Sequence, residues 1–258
     1  MSLSQSEQDQ RDYYNRIAAR YNAHYASHEA LSYRFSVFEQ SIGGLNFSGL
    51  KVLDAMCGGG ENSAYFDQRG ASITGLDISE AQCALFEKRF PEATTICASA
   101  LDPQLPAESF DFVVTESLHH LHPHVSQGVD ALIRLLKPGG RLLIWEPNSG
   151  SLLDLARKLW YRLDTRFFEK NESSIDFERL RAQTDAKLEL DHIRYGGNLA
   201  HLFVMSSMQF RIPQAAVKWY APGLLWLEPR LERLQGPLLS CWGLALFQKR
   251  AATGSQAS

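Results

Sequence analysis

The sequence predicts an α/β fold: a seven-stranded, mostly parallel sheet with helices on both faces, an antiparallel last strand and a helical lid at the amino terminus. Three observations predict it. Short apolar runs alternate with amphipathic ones between residues 51 and 146, each apolar run closes on a turn signal, and the chain ends in a further pair of strand-like runs. Such alternation implies right-handed βαβ units on a parallel sheet. At 258 residues, 45% hydrophobic and 11% aromatic, the chain can bury one full core. The expected division is a lid over residues 1–45 and one domain over 46–258, with a cap at about 150–242.

Residues 11–42 read as helix. Tyr14, Ile17, Ala18 and Tyr21 recur at i, i+3, i+4 and i+7, and Phe35, Phe38 and Ile42 continue as a second stripe up to Gly43-Gly44. Five strands are expected next, at Lys51–Ala55, Ser72–Asp77, Thr94–Cys97, Phe110–Thr115 and 141–146. The helix between the second and third opens on a capping box, Ser79 with Gln82, and ends near Phe90-Pro91. Val125, Val129, Leu132, Ile133 and Leu136 form an inward stripe stopped by Lys137-Pro138-Gly139-Gly140. The run 142–145 is apolar enough to be buried on both faces, which puts it mid-sheet. Beyond Pro147 the pattern reads as a helix carrying Leu152, Ala156, Leu159 and Leu163, then a mixed polar stretch to Lys187. A strand over 188–195, an aromatic-rich segment over 199–242, a closing strand over 243–247 and a frayed tail over 251–258 follow.

Composition narrows the function. A formal charge of −3 supplies no global field to hold nucleic acid, so small ligands are the expected partners. Cys57, Cys83, Cys97 and Cys241 show no CxxC spacing, which suits reduced thiols and a cytoplasmic location. The amino terminus is polar, and the longest apolar run, 236–247, is too short to cross a bilayer. Composition carries no signal for oligomeric state.

The chemistry-bearing motif is Val52-Leu53-Asp54-Ala55-Met56-Cys57-Gly58-Gly59-Gly60, followed by Leu76-Asp77, whose acid lies 23 residues after Asp54. Successive glycines let the backbone pass close to a ligand, and an acid at the next strand end can accept both hydrogen bonds of a ribose diol. A P-loop is excluded because no Lys-Ser or Lys-Thr pair follows the glycines. Gly58-x-Gly60-x-x-Ser63 is a degraded dinucleotide fingerprint, and it keeps an NAD-dependent oxidoreductase as an alternative. Taken singly, Gly59 reads equally as a turn glycine and Asp54 as a capping acid.

His119, His120, His122 and His124 crowd six residues. Pro123 interrupts the helix that His120 and His124 would need as metal ligands, and no nearby Cys or carboxylate pair completes a set, so no metal is expected. His119 or His120 is instead placed at the crevice mouth as a proton acceptor, against the alternative of a histidine packed under the lid. Arg157, Lys158, Arg162, Arg166 and Lys170 interleave with Trp160, Tyr161, Phe167 and Phe168. That run reads as an amphipathic cover helix with a solvated basic face, or as a peripheral contact with anionic lipid, RNA or an acidic substrate. Phe203, Met205, Met208, Phe210, Trp219, Tyr220, Leu224, Leu225 and Trp226 read as an apolar pocket or lid, or as ordinary core.

Five ordered segments then carry a resemblance. They are 52–60, Gly75-Leu76-Asp77-Ile78-Ser79, Leu105-Pro106 with 109–114, Leu118-His119-His120-Leu121, and Leu136-Lys137-Pro138-Gly139-Gly140, preceded by Tyr13-Tyr14-x-x-Ile17-Ala18-x-x-Tyr21. Over residues 11–147 the chain resembles the Rossmann-like class I S-adenosylmethionine-dependent methyltransferases, in particular the small-molecule group of ubiquinone and menaquinone methyltransferases. The resemblance implies that Asp54, the backbone of Ala55, Cys57 and Gly58, and Gly60 face the methionine moiety of S-adenosylmethionine. It also implies Asp77 on the ribose, Ile78 on the adenine, and Ser99 or Asp102 of Ser99-Ala100-Leu101-Asp102 at the adenine edge. Thr115 and Glu116 would border the cofactor's amino group, and Tyr14 and Tyr21 would close over it. Met56 stands where the family usually has a glycine. The implied activity is methyl transfer to an O, N or C nucleophile of a small-molecule or lipid-like acceptor, leaving S-adenosylhomocysteine. A noncatalytic S-adenosylmethionine-binding module is the other alternative.

Overall fold

A computed structural model describes residues 3–163 and 173–251. Strands β1 (Lys51–Ala55), β2 (Ser72–Asp77), β3 (Thr94–Cys97), β4 (Phe110–Thr115) and β5 (Leu136–Pro147) run parallel, and β6 (Leu188–Gly196) and β7 (Trp242–Lys249) complete one seven-stranded sheet. The order is β3-β2-β1-β4-β5-β7-β6, with β7 antiparallel to both neighbours. This is the mostly parallel sheet with an antiparallel last strand that the alternation predicts. The order reverses between β1 and β4, and in open α/β sheets ligands bind outside the carboxyl ends of strands at such a reversal.

Helices cover both faces. On one, Phe38, Tyr65, Phe66 and Phe112 pack with Trp145; on the other, Leu53, Leu76 and Val113 pack with Leu132 and Ile144. Leu142, Leu143 and Ile144 are fully buried, as a strand flanked by β4 and β7 requires.

Four details depart from the sequence reading. The predicted helix over 11–42 is two helices, α1 (Gln5–Tyr25) and α2 (His28–Ile42), because Ser27 breaks the run and its hydroxyl accepts from Ala30 N at 3.3 Å. The turn signal Lys137-Pro138-Gly139-Gly140 lies within β5 instead of before it. Leu136 already pairs with Phe110, the register slips before Phe112 pairs with Arg141, and Gly139 takes φ +76° in the resulting bulge. The polar stretch before Lys187 contains a helix, α7 (Phe177–Thr184), capped by Asp176. The aromatic segment holds a π-helical turn (His201–Met205) and a long helix, α8 (Gln214–Glu232), which Pro222 and Pro229 disguise in the sequence. The remaining helices are α3 (Ser63–Asp67), α4 (Glu80–Arg89), α5 (Val125–Leu135) and α6 (Leu152–Leu163). Arg166, Phe167, Phe168 and Lys170 of the basic run, and the tail after residue 251, lie outside the described residues.

The last glycine of the bend is sterically obligatory. Gly60 sits at φ +85°, and a Cβ there would lie 2.4 Å from Cε2 of Phe90 and 3.0 Å from Cδ2 of Phe86. Gly60→Ala combines overpacking with left-handed strain and is expected to cost roughly 2–5 kcal/mol, read as a fall in denaturation midpoint at unchanged m.

Candidate active site

The bend after β1 and the end of β2 meet at Asp77. Its Oδ2 accepts from Gly58 N and its Oδ1 from Ser79 N, both at 2.9 Å. The Ser79–Gln82 capping box is therefore only half formed. Ser79 Oγ accepts from Gln82 N at 3.2 Å, but Asp77 has taken the Ser79 N–H to which a Gln82 side chain would reach back. Asp54 is tied to the start of α3, just after the bend. It is fully buried, accepting from Ser63 N at 3.0 Å and Ser63 Oγ at 2.7 Å, and burial pushes it up to about 7. Met56 takes φ +60°, a left-handed backbone that glycine adopts without strain, and its side chain lines the cavity above the bend.

A charged cluster forms the floor. The Arg34 guanidinium on α2 is bonded to Glu116 and Asn62 and lies 5.2 Å from the Trp145 ring centroid. Burial raises both Glu61 and Glu116, and the Arg34 charge opposes that rise. Arg34 Nε and Glu61 Oε1 are buried without a hydrogen-bond partner among the described residues, with Arg89 Nη1 3.8 Å from Glu61 Oε1 as an ion pair. Buried polar atoms are ordinarily paired, so two such atoms side by side on the cavity floor suit polar ligand groups.

Beside the floor stands a proton-handling pair. Glu146, at the carboxyl end of β5, accepts from Leu118 N at 2.5 Å, from His119 N at 3.3 Å and from His119 Nδ1 at 2.6 Å. Burial pushes Glu146 up to about 8. The His119 ring lies 4.0 Å from that of His120, whose Nε2 is 2.9 Å from Tyr14 Oη on α1. The 3₁₀ turn Leu118–Leu121 holds both imidazoles by burying Leu118 and Leu121 beneath them.

These groups open into a cavity of about 450 Å³. Of the predicted site residues, Tyr14, Tyr21, Cys57, Gly58, Glu116, His119 and His120 line it together. Asp54, Ala55, Gly60, Asp77, Ile78 and Thr115 lie behind or beside the bend and are not part of its wall. Ser99, Ala100, Leu101 and Asp102 are also outside it; Ser99 Oγ donates to Glu7 of α1 at 2.5 Å and accepts from Leu101 N at 3.1 Å. Sequence reasoning missed Arg34, Glu61 and Glu146. A carboxylate closing an apolar strand could have flagged Glu146, whereas Arg34 sits unannounced on an apolar helix face.

The far wall comes from the cap: Met205, Met208 and Phe210 with Trp242, and the neutral polar group His201. Burial and the nearby Arg157 charge lower His201 to about 4. Of the predicted aromatic pocket, Met205, Met208 and Phe210 line the cavity, while Trp219 and Trp226 face outward. Among the described residues no cluster of His, Cys, Asp and Glu is placed to hold a metal ion, and no helix is long and apolar enough to cross a membrane.

Comparison with known proteins agrees with this architecture. Residues 52–140 match a family model described as a methyltransferase domain. The chain is 40% identical over 105 residues to a ubiquinone biosynthesis O-methyltransferase of Pseudomonas fluorescens, covering 38% of this chain and 44% of that protein. It is 31% identical over 121 residues to a phthiotriol/phenolphthiotriol dimycocerosates methyltransferase of Mycobacterium leprae, covering 45% of each. The chain thus spans less than half the length of these relatives. Its fold matches that of a magnesium protoporphyrin IX methyltransferase from Synechocystis, solved with S-adenosylhomocysteine bound, at TM-score 0.64 and 18% identity over 95% of this chain and 100% of that one. The glycine bend and Asp77 converge where the strand order reverses, and residues 52–140, which span both, match a methyltransferase domain.

Proposed function

We propose that this chain binds S-adenosylmethionine and transfers its methyl group to an oxygen nucleophile on a small, largely apolar acceptor. The observation that carries the reading is the His119–Glu146 pair, opening onto the same cavity as Gly58 and the Arg34–Glu116 floor. The donor set fits the cofactor. Arg34 suits a carboxylate, Glu61 and Glu116 suit an ammonium, and Asp77 suits a diol, so the unbonded atoms of the floor would gain partners from an amino-acid zwitterion. When bound, the cofactor supplies a methyl group already activated as an electrophile.

The residues have three tasks. His119 takes the acceptor's proton: with Nδ1–H held on the Glu146 carboxylate, Nε2 is the basic nitrogen. Glu146 stabilises the imidazolium that forms. Tyr13, Tyr14 and Tyr21 of α1 wall the site from water, which strengthens the electrostatics inside and preserves the methyl donor from hydrolysis. The apolar far wall selects the acceptor's body, in keeping with relatives named for ubiquinone biosynthesis and for dimycocerosate lipids.

Asp77→Ala is expected to weaken S-adenosylmethionine binding at least tenfold by calorimetry, since the side chain both shapes the Gly58 amide and would accept the diol. Unchanged affinity would reject this map of the site. The activity itself is tested by supplying radiolabelled S-adenosylmethionine with a quinol or lipid extract and following S-adenosylhomocysteine. Binding without release across such extracts would favour a noncatalytic module, and retained nicotinamide in the purified protein would favour an oxidoreductase.

A further inference from the structure

We infer that the outer face of α8 is a docking surface for a bilayer containing anionic phospholipid. The helix carries two acids, and both turn inward. Glu228 accepts from the backbone N–H groups of Asn198 at 2.6 Å, Ala200 at 2.9 Å and His201 at 3.3 Å, while Glu232 pairs with Arg194. Outward the helix presents Lys218, Trp219, Trp226 and Arg230, then Arg233 and Leu234 just past its end, with no exposed acid among them. Positions 219, 226, 230 and 233 fall on one helical stripe. Trp219 is 88% exposed, Trp226 63% and Leu234 89%. A helix facing only water gains nothing from an indole held in solvent, and isolated exposed apolar residues do not explain a stripe of them.

Indoles combined with cations and no acids fit the headgroup layer of an anionic membrane. The ring sits at the apolar boundary while the cations meet phosphate. Arg230 stacks over the Trp226 ring with its guanidinium carbon 3.7 Å from the centroid, so one cation and one indole form a single amphipathic unit. A second copy of this chain is a poorer fit, because two such faces would bring like charges together. The surface also leads to the cavity. Tyr220 on α8 donates to the Phe203 carbonyl at 2.6 Å, the Phe203 ring lies 5.8 Å from that of Phe210, and Phe210 lines the cavity wall. These contacts join the outer helix to the cavity wall.

This inference does not require methyl transfer, since an inert protein would still partition. The test is flotation of the full chain with vesicles of phosphatidylcholine alone and of phosphatidylcholine with one third phosphatidylglycerol. Anionic vesicles are expected to be preferred at least about tenfold, with high salt weakening the preference, and Trp219→Ala/Trp226→Ala is expected to remove most of the binding. Circular dichroism and Tm of the double variant should match the parent, because both side chains lie in solvent. Absence of flotation on anionic vesicles, or equal flotation of the double variant, overturns the inference. So does a concentration-dependent dimer, seen by light scattering, that the same two substitutions abolish, since that result assigns the face to a second copy.

Discussion

Glu146→Gln is expected to lower the methyl-transfer kcat by roughly 10²–10⁴-fold, the range by which a positioned general base accelerates proton transfer, while S-adenosylmethionine affinity stays within about twofold. The glutamine oxygen can still accept the His119 Nδ1–H, so the ring keeps its place. It cannot neutralise an imidazolium, so the base loses its driving force. The base-competent form of the pair is the one without its shared proton, with Glu146 ionised and His119 neutral. Because burial pushes Glu146 up to about 8, kcat/KM of the native enzyme is expected to rise with pH and level off above that value. The glutamine variant should lose this limb of the profile. A variant with native kcat and profile would leave the pair without a role in proton transfer and make the site one of positioning alone.

The same carboxyl shapes stability. Its folded value exceeds that of the unfolded chain, so its stabilising contribution is complete at low pH and is lost as pH rises through about 8. Between those limits the loss is at most about 1.4 kcal/mol per pH unit. Asp54, raised to about 7, acts in the same direction over a lower window. His201, lowered to about 4, acts oppositely: it must stay neutral inside, so stability falls as pH drops from its ordinary value toward 4. Between about 4.5 and 6.5 the two acids outweigh the histidine and above that nothing opposes them, so these three groups make thermal stability fall as pH rises toward 8, and Glu146→Gln should flatten that fall, as scanning calorimetry across pH would show.

Arg34→Met is expected to destabilise the fold by about 3–5 kcal/mol, because removing one partner of a buried ion pair strands the other in a medium that cannot solvate it. Glu116 would lose its paired cation, Glu61 a compensating charge and Trp145 a stacked guanidinium. For a domain of this size the change corresponds to a fall in Tm of roughly 6–20 °C. Pairing it with Glu116→Gln should recover at least half of the loss, since a neutral amide tolerates the site once the cation is gone. If the double variant is as unstable as the single one, Arg34 acts through packing and not through charge. In the recovered double variant, cofactor affinity should still be at least about tenfold weaker, which separates binding from stability.

What the chain made readable was what it writes locally. The four strands Lys51–Ala55, Ser72–Asp77, Thr94–Cys97 and Phe110–Thr115 fall where apolar runs and turn residues put them, because strand formation there depends on neighbours only a few residues away. Helices failed to show where a local signal misled, as with the prolines inside α8, or where a capping serine divided one stripe into two helices. The glycine bend and Asp77 were legible because a fixed spacing across one βαβ unit brings adjacent strand ends together.

The charged floor and the proton pair were another matter. Arg34 meets Glu116 across 82 positions, His119 meets Glu146 across 27, and Tyr33 holds Trp242 Nε1 across 209. No periodicity encodes such partners; they are selected by which side chains the closed sheet and its cover helices bury together, where an unpaired charge is too costly to keep. The sequence by itself determined the layered sheet, the resemblance carried by residues 52–140 and the bend at its crevice. Tertiary packing alone decided which carboxylate activates which imidazole and which helix face is left outward, because burial and desolvation act only on groups that folding has already brought into contact.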